Sequence, residues 1–139
     1  MNLTYKMRKK SKKILTEISA GELLDKISIL EIKLDKIKDK ENLQEIDKEY
    51  KSLNETKKSH LEITPDIQNL IDQLKNVNIK LWSIEDEKRI CEKNKDFGKN
   101  FIDLARKVYL TNDKRSKVKS KINEALGSNI KEIKYYENY

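Results

Sequence analysis

The sequence has few residues that interrupt a helix. It contains a single proline, Pro65, and only three glycines, Gly21, Gly98 and Gly127. No stretch alternates β-branched with polar residues, which is the pattern of a half-buried strand. These absences argue against a sheet protein and predict an all-α fold. The length of 139 residues suits one domain, which at this size buries about two-thirds of the surface that its unfolded chain exposes.

Cysteine and long apolar runs are equally scarce. Cys91 is the only cysteine, so no internal disulfide can form and a reducing compartment is expected. The N-terminal stretch lacks the apolar core of a signal peptide, and no run approaches the ~20 apolar residues that a membrane span needs. We therefore expect a cytoplasmic protein in which Cys91 is a small buried side chain and not a reactive thiol.

Positive charge is concentrated at the start of the chain. Charged residues make up 40% of the sequence against 36% apolar residues, and the formal net charge is +7. Residues 1–13 contain six basic side chains and no acidic one, so the remainder is close to neutral. We interpret residues 1–13 as a flexible basic arm, which either binds nucleic acid or an anionic membrane surface or is a solvated extension. The basic residues of this arm are Lys6, Arg8, Lys9, Lys10, Lys12 and Lys13.

Capping signals divide the rest of the chain into four predicted helices. A capping box at Ser19 and Glu22 begins the first helix, and Thr64-Pro65-Asp66 begins the third. A shift in the apolar phase around Asp39–Asn42 separates the first helix from the second. Asp96-Phe97-Gly98 is the predicted turn before the fourth, with its glycine free to adopt positive φ. The predicted helices span about residues 20–38, 42–59, 66–95 and 99–126.

These helices predict an antiparallel helical bundle. The third and fourth form a long hairpin, and the first and second form a shorter hairpin packed on it. The second helix is only weakly apolar and is expected to be the most exposed. Residues 129–139 are rich in aromatic side chains and are expected to fold back onto the helices. Residues 14–139 then form one domain, and a homodimer remains open because narrow apolar seams also suit dimeric bundles.

The third predicted helix carries two rows of side chains at alternating four- and three-residue steps. The first row is almost entirely apolar and would hold a bundle together. It comprises Leu70, Leu74, Val77, Leu81, Ile84, Lys88 and Cys91. The second row is mostly charged and includes the only tryptophan of the chain, which makes it the better candidate for a specific role. It comprises Trp82, Glu85, Arg89, Glu92 and Asp96.

Polar residues also interrupt the apolar face of the fourth predicted helix. Asn112, Arg115 and Lys119 lie on that face, and burying such groups without partners costs about 1–3 kcal/mol each. In a hairpin that turns near Phe97, Asn112 lies at the height of Trp82, so we expect the polar residues of the two long helices to be partners. The candidate binding residues are Trp82, Glu85, Asp86, Arg89, Arg106, Tyr109, Asn112, Asp113 and Arg115.

This polar cluster is either a structural network between helices or a site for a ligand or partner. Glu85 and Arg89 also form an ordinary i,i+4 pair, worth about 0.2–0.5 kcal/mol on a helix surface. Catalysis has little support, because no serine or cysteine nucleophile has a histidine to activate it and no glycine-rich phosphate loop is present. The only histidine, His60, lies at the wrong end of the second helix. Glu22 and Asp25 have the spacing of a metal site but lack a second pair. We therefore assign no catalytic residue, metal ligand or cofactor.

Several motifs run through the chain from Ile14 onward. They are Ser19–Lys26 (SAGELLDK), Ile29–Lys33 (ILEIK), Leu81–Asp86 (LWSIED), Asp96–Arg115 (DFGKNFIDLARKVYLTNDKR) and Ile122–Ser128 (INEALGS). Together they resemble a family of short uncharacterised bacterial and phage proteins, a domain of unknown function. The resemblance implies one compact helical unit and supplies no activity. It also implies a setting among glycosyltransferase or cell-surface polysaccharide genes.

Three functional hypotheses follow. The first is a small helical binding or adaptor protein that recognises a protein or an anionic group through the polar cluster. The second is an enzyme acting on a nucleotide or sugar phosphate, with the arginines as phosphate clamp and Glu85 or Asp86 as base or metal ligand. The third is attachment to nucleic acid or a membrane surface through the basic arm. A closed, fully paired network would favour the first hypothesis or a purely structural role, and an open cleft with Arg89 and Arg115 unpaired would favour the second.

Overall fold

Four helices make up the regular structure of residues 11–139, the part of the chain that the computed structural model describes. They are α1 (Ala20–Lys36), α2 (Lys40–His60), α3 (Pro65–Lys93) and α4 (Lys99–Ala125). The all-α prediction is confirmed, and the helix boundaries lie close to the predicted ones. Most of the basic arm, residues 1–10, lies outside the described residues. None of the four helices is long and apolar enough to cross a lipid bilayer.

Side-chain caps begin three of the helices: Ser19 and Thr64 are the predicted caps, and Asp39 begins the second helix slightly before its predicted start. The Ser19 hydroxyl accepts a hydrogen bond from the backbone N–H of Glu22 (3.1 Å), and Asp39 and Thr64 cap α2 and α3 in the same way. The carboxylate of Glu22, which would complete a capping box at Ser19, is instead bound by Lys119 of α4. The start of α1 is therefore already tied to a distant part of the chain.

The turn between α3 and α4 differs from the prediction. Gly98 has a φ of −82°, and the left-handed conformation is adopted by Lys95, with a φ of 57°. Helix α3 ends in a Schellman motif, in which the N–H of Lys95 bonds to the carbonyl of Glu92 (3.1 Å). The N–H of Asp96 bonds to the carbonyl of Cys91 (2.8 Å). This motif requires positive φ just after the helix cap, at Lys95, so Gly98 is left to serve as the N-cap of α4.

Two apolar clusters hold the helices together. The first cluster joins α1, α3 and α4, and the second joins α3 and α4 nearer to their turn. The first comprises Ala20, Leu24, Ile67, Ile71, Leu74, Val118 and Ile122. The second comprises Ile84, Cys91 and Leu104, with Phe101 and Val108 packed against it. Cys91 is buried, as its place in the seam predicts.

Helix α1 occupies the centre of the bundle because it contacts the three other helices. Helix α2 contacts α1 alone and has no buried residue, which confirms that it is the most exposed helix. Leu23, Ile27 and Leu30 of α1 are buried but belong to neither apolar cluster. We infer that α2 covers this row with its own partly buried apolar side chains. The shorter hairpin therefore packs on the longer one through α1.

Gly21 allows the first turn of α1 to lie against the backbone of α4. A Cβ atom at this position would lie 2.7 Å from the carbonyl oxygen of Lys119 and 2.8 Å from Oδ1 of Asn123. The first of these atoms belongs to the backbone of a helix and cannot turn away. The same proximity lets the N–H of Gly21 donate to Asn123 Oδ1 at 2.7 Å.

Replacing Gly21 by alanine is expected to lower the free energy of unfolding by about 1–3 kcal/mol, the usual cost of overpacking. Inside a helix the same substitution otherwise stabilises by up to about 1 kcal/mol, so the sign of the effect tests the contact. Urea unfolding followed by circular dichroism measures it. Gly98→Ala is the control: its Cβ would meet no atom closer than 3.5 Å, and the expected change is below about 1 kcal/mol. A stabilised Gly21→Ala variant would contradict the close packing of α1 on α4.

Candidate functional site

A layer of polar side chains lies between the two apolar clusters. At its centre is Asp25 of α1, which is only 1% exposed. Arg115 of α4 donates from Nε to Oδ1 of Asp25 (3.0 Å) and from Nη2 to Oδ2. Asn78 of α3 donates its Nδ2 to Oδ1 of Asp25 (2.8 Å) and to the hydroxyl of Ser28 (3.3 Å). We call Asp25, Ser28, Asn78 and Arg115 the polar layer; it joins three helices through one carboxylate.

The side-chain groups of the polar layer are engaged with one another. Both oxygens of Asp25 are engaged, and the hydrogen bond to Asp25 raises the pKa of Arg115 despite partial burial. No buried side-chain nitrogen or oxygen among the described residues lacks a hydrogen-bond partner. No group of three or more histidine, cysteine, aspartate or glutamate side chains within residues 11–139 is placed to hold a metal ion. The geometry of the layer is suited to fixing helix positions.

A second set of charges lies beside the polar layer at the start of α1. The Nζ atom of Lys119 is 2.6 Å from Glu22 Oε2, 3.4 Å from Glu132 Oε2 and 3.9 Å from Asp25 Oδ2. Burial opposes the charge on Lys119, but the hydrogen bond to Glu22 and the three carboxylates outweigh burial and raise its pKa. Burial likewise acts to raise the pKa of Glu22, and the pairing with Lys119 outweighs it and lowers that pKa.

The first backbone N–H groups of α1 are occupied by side chains of α4 and the residues after it. The N–H of Ala20 donates to Ser128 Oγ (3.1 Å). The N–H of Gly21 donates to Asn123 Oδ1 (2.7 Å). A helix N-terminus with free N–H groups attracts anions, but here the groups are already bonded. The contacts fasten α1 to α4 instead.

The partner of Arg115 is not the one that the sequence predicts. We expected partners on the polar row of α3, whereas the guanidinium binds Asp25 of α1. The reason is that α1 packs against both long helices and brings its buried carboxylate to the same height. Asp25 was not among the predicted binding residues, although the spacing of side chains in α1 places it on a core-facing row. Gly21, Asp25, Ser28 and Ile32 follow the four- and three-residue steps of an apolar seam.

Replacing Arg115 by methionine is expected to lower the free energy of unfolding by about 3–5 kcal/mol, because it leaves the Asp25 carboxylate buried without its ionic partner. The double variant Asp25→Leu/Arg115→Met is expected to be less destabilised than Arg115→Met alone, since the pair is then replaced by apolar groups. A double-mutant cycle in urea measures the coupling. Lys117→Met, on the exposed side of α4, is the control and should change stability by about 0.5 kcal/mol or less. Additive effects of the two single substitutions would mean that Asp25 and Arg115 do not interact.

Five of the nine predicted binding residues line a groove of about 370 Å³ between α1 and α3, which we call the α1–α3 groove. Its floor is apolar: Ile29 and Ile32 come from α1, and Leu81 and Trp82 from α3. Trp82 is half-buried, so part of its ring faces the open side. The predicted residues in this groove are Trp82, Glu85, Asp86, Arg89 and Arg115.

Both arginines of the groove are bound by carboxylates of the protein itself. Arg89 donates from Nη1 to Glu85 Oε2 (2.7 Å) and to the backbone carbonyl of the same residue (3.2 Å). Arg115 is held by Asp25. The Arg89 side chain is 73% exposed, and an ion pair so exposed adds little stability. The groove therefore combines an apolar floor with a charged rim whose two arginines are paired with carboxylates.

The remaining predicted residues lie elsewhere, so the single cluster expected between the long helices is divided. Tyr109, Asn112 and Asp113 line a cleft between α4 and the C-terminal segment, residues 129–139. Arg106 is exposed and lines neither this cleft nor the α1–α3 groove. The division has two causes. The C-terminal segment covers the side of α4 that carries Asn112, and α1 packs against Arg115, which borders both the C-terminal segment and the α1–α3 groove.

The C-terminal segment folds back onto α4, as the sequence predicts. Lys134 Nζ lies 2.8 Å from Asp113 Oδ1, and the hydroxyl of Tyr139 donates to Asp113 Oδ2 (2.5 Å). The ring of Tyr139 packs edge-on against Tyr109, with 5.4 Å between ring centroids. The hydrogen bonds from Lys134 and Tyr139 lower the pKa of Asp113, and the bond to Asp113 raises the pKa of Tyr139.

Docking of the C-terminal segment is expected to weaken at both ends of the pH scale. Because the pKa of Asp113 is lowered, its carboxylate stabilises the docked segment fully above the ordinary carboxyl pKa. This stabilisation is lost as pH falls through the lowered pKa. Because the pKa of Tyr139 is raised, its protonated hydroxyl stabilises the docked segment fully below the ordinary phenol pKa. This stabilisation is lost as pH rises through the raised pKa.

Nuclear magnetic resonance of isotope-labelled tyrosine can measure this effect, with the Tyr139 signal assigned from a Tyr139→Phe variant. The titration of Tyr139 should lie above the ordinary phenol pKa in the unmodified protein. It should return to the ordinary range in Asp113→Asn, because the carboxylate that accepts the phenol proton is gone. An unchanged titration in Asp113→Asn would show that Asp113 does not accept the hydrogen bond from the Tyr139 hydroxyl.

The fold and the site define a small all-α protein whose central helix is joined to two others by a buried polar layer and which carries an apolar groove beside that layer. The model of a family of unknown function, DUF6165, matches residues 14–139, and the chain belongs to this family. Comparison with curated proteins and with solved structures gives no match. The resemblance noted in the sequence motifs is confirmed at the level of the family.

Proposed function

We propose that this protein is a small helical binding or adaptor module that recognises a segment of another protein through the α1–α3 groove. The observation that supports this most is the half-buried Trp82 beside the apolar floor of Ile29, Ile32 and Leu81. Protein-binding sites are typically anchored by a tryptophan or arginine in a largely apolar pocket with a polar rim. The groove has this composition.

The pairing of the arginines favours a protein partner over an anionic small molecule. Arg89 is bound by Glu85 and Arg115 by Asp25, so a phosphate group would have to share either guanidinium with a carboxylate, whose negative charge repels it. The same pairing argues against an enzyme that clamps a nucleotide or sugar phosphate with these two arginines. A closed network favours a binding or a purely structural role over catalysis, and the apolar groove beside it favours binding.

The chemistry of the groove suggests the form of the partner segment. One or two large apolar side chains would contact the floor beside Trp82, and charges of both signs would meet the rim at Asp86 and Arg89. A short amphipathic helix presents side chains in this arrangement. The proposed setting is a reducing compartment such as the cytoplasm, in which the buried Cys91 remains a thiol.

The fluorescence of Trp82, the only tryptophan, tests the proposal directly. A panel of amphipathic helical peptides of varied charge is titrated, with nucleotides, sugar nucleotides, inorganic phosphate and magnesium ions as separate arms. We expect at least one peptide to shift the fluorescence saturably. Asp86→Arg should change the affinity for that peptide by about fivefold or more, because it reverses a rim charge.

Glu87→Arg provides the matched control, since Glu87 is the next residue of α3, is exposed and does not line the groove. It should leave peptide affinity within about twofold. Equal effects of the two charge reversals would place binding outside the groove. Saturable binding of a sugar nucleotide or nucleotide, with no peptide response, would favour the enzyme hypothesis instead.

A further inference from the structure

Contact and exposure alternate along the C-terminal segment. Glu132 accepts a hydrogen bond from the Ser19 hydroxyl (3.1 Å), and the Nζ atom of Lys134 lies 2.8 Å from a carboxylate of α4. The residues that follow each of them face away, since Ile133 is 87% exposed and Tyr135 is 92% exposed. Successive side chains of an extended chain point to opposite sides. One side of this segment therefore binds its own bundle, and the other displays Ile133 and Tyr135.

These two side chains are held in place without being covered. The segment is fixed on both sides of them, at Glu132 by Ser19 and Lys119 and at Tyr139 by its hydrogen bond to Asp113. A partner would therefore meet an arrangement that already exists, and binding would not first have to order a flexible chain. Single exposed apolar residues are ordinary on protein surfaces, but two large ones on a fixed segment are suited to contact.

The α1–α3 groove matches residues 131–135, which we call the C-terminal strip, in size and chemistry. The groove follows α3 from Asn78 to Arg89, a length of about 16 Å in an α-helix. An extended chain of the length of the strip covers about 13 Å. The floor of the groove is apolar, and Asp86 on its rim forms no ion pair within residues 11–139. The exposed Lys131 of the strip likewise forms none within that range, so an apolar pair beside a free cation meets an apolar floor beside a free anion.

The strip and the groove adjoin one another on the molecule. Arg115 borders the groove, and it also borders the cleft beneath residues 132–136. Two copies of a chain can exchange adjoining surfaces reciprocally about a two-fold axis, so that the contact is made twice and the assembly closes as a dimer.

We propose that the α1–α3 groove binds the C-terminal strip of a second copy of this chain, in a two-fold dimer. In this dimer Ile133 and Tyr135 pack on the floor beside Trp82, and Lys131 lies opposite Asp86. Because the dimer uses the same groove, it rests on the proposed function and makes a copy of the chain itself the partner. Segments of other proteins then compete with the second copy for the groove. The contact is small, so the dimer is weak and forms only at high protein concentration.

Sedimentation velocity of the full chain tests for the dimer. Protein concentrations from about 1 μM to about 1 mM are compared, because small interfaces are usually transient. We expect a reversible species of twice the monomer mass at the upper end of this range. A monomer at every concentration would overturn the proposal. Assemblies that keep growing with concentration would also overturn it, because a reciprocal contact closes.

The double variant Ile133→Ser/Tyr135→Ser tests the part played by the strip. It should raise the Kd of the dimer by about tenfold or more, because large apolar and aromatic anchors supply most of the binding energy of an interface. Ile14→Ser/Leu15→Ser is the matched control: these residues are 90% and 89% exposed and do not line the groove. Its Kd should stay within about twofold of the unmodified chain, and circular dichroism checks that the helices of both variants are intact. Equal weakening by both would indicate general apolar adhesion, and the proposal would fail.

A charge swap tests whether the strip lies in the groove. Asp86→Lys and Lys131→Asp should each weaken the dimer by about fivefold, because each places like charges opposite one another. The two substitutions combined should restore the Kd to within about twofold, since the swapped charges attract again. If the combined variant dimerises no better than the single ones, the strip binds elsewhere and the proposal fails.

These measurements do not depend on the peptide titration that tests the proposed function. A chain that stays monomeric and binds a foreign peptide through the groove overturns the dimer and leaves the proposed function intact. A dimer that depends on both Asp86 and Lys131, without a response to any peptide, supports the dimer and contradicts recognition of another protein.

Discussion

A single buried carboxylate fixes how the helices of this protein are placed. Asp25 is almost wholly removed from water, and a charge in that position is tolerated only with an ionic partner and further hydrogen bonds. Its partners, Arg115 and Asn78, come from the two other helices of the core. Apolar seams alone permit neighbouring registers at similar free energy, because leucine and isoleucine pack acceptably one turn higher or lower. We attribute the observed register to the polar layer. Sliding α1 or α4 by one turn would separate Asp25 from Arg115, and sliding α3 would leave the Asn78 amide buried without its partners.

The proposed binding groove depends on the position of α1. Its N-terminal turn is fastened to α4 and to the C-terminal segment through Gly21, Asn123 and Lys119, which brings the two ends of the described chain together. Its later turns supply Ile29 and Ile32 to the floor of the groove beside Trp82. The polar layer lies between these two regions along α1. A change at Asp25 is therefore expected to disturb the groove together with the packing of the helices, whereas a change at Asp86 addresses the groove alone.

Local signals in the sequence were sufficient to predict the elements but not their partners. Ser19, Asp39 and Thr64 cap their helices through neighbours three residues away, so the helix starts could be placed from short stretches of sequence. The periodicity of apolar residues, which is also a local signal, correctly placed Cys91 in the interior. It could not say which helix would face Arg115, because a repeat of side chains describes one face of one helix and not the helix opposite it. The left-handed residue at Lys95 was missed because a glycine stood three residues later and fitted the turn equally well.

The separate attachment of α2 has a consequence for the dynamics of the molecule. Helix α2 contacts only α1 and buries none of its residues, so it can open without breaking a single bond of the polar layer. Such sub-global opening requires less free energy than complete unfolding, and the amides of α2 should exchange with deuterium much faster than those of α1. The opened form would uncover Leu23, Ile27 and Leu30, an aliphatic strip on an otherwise intact three-helix core. We therefore expect the native ensemble to include a minor state with a surface that the closed bundle does not display.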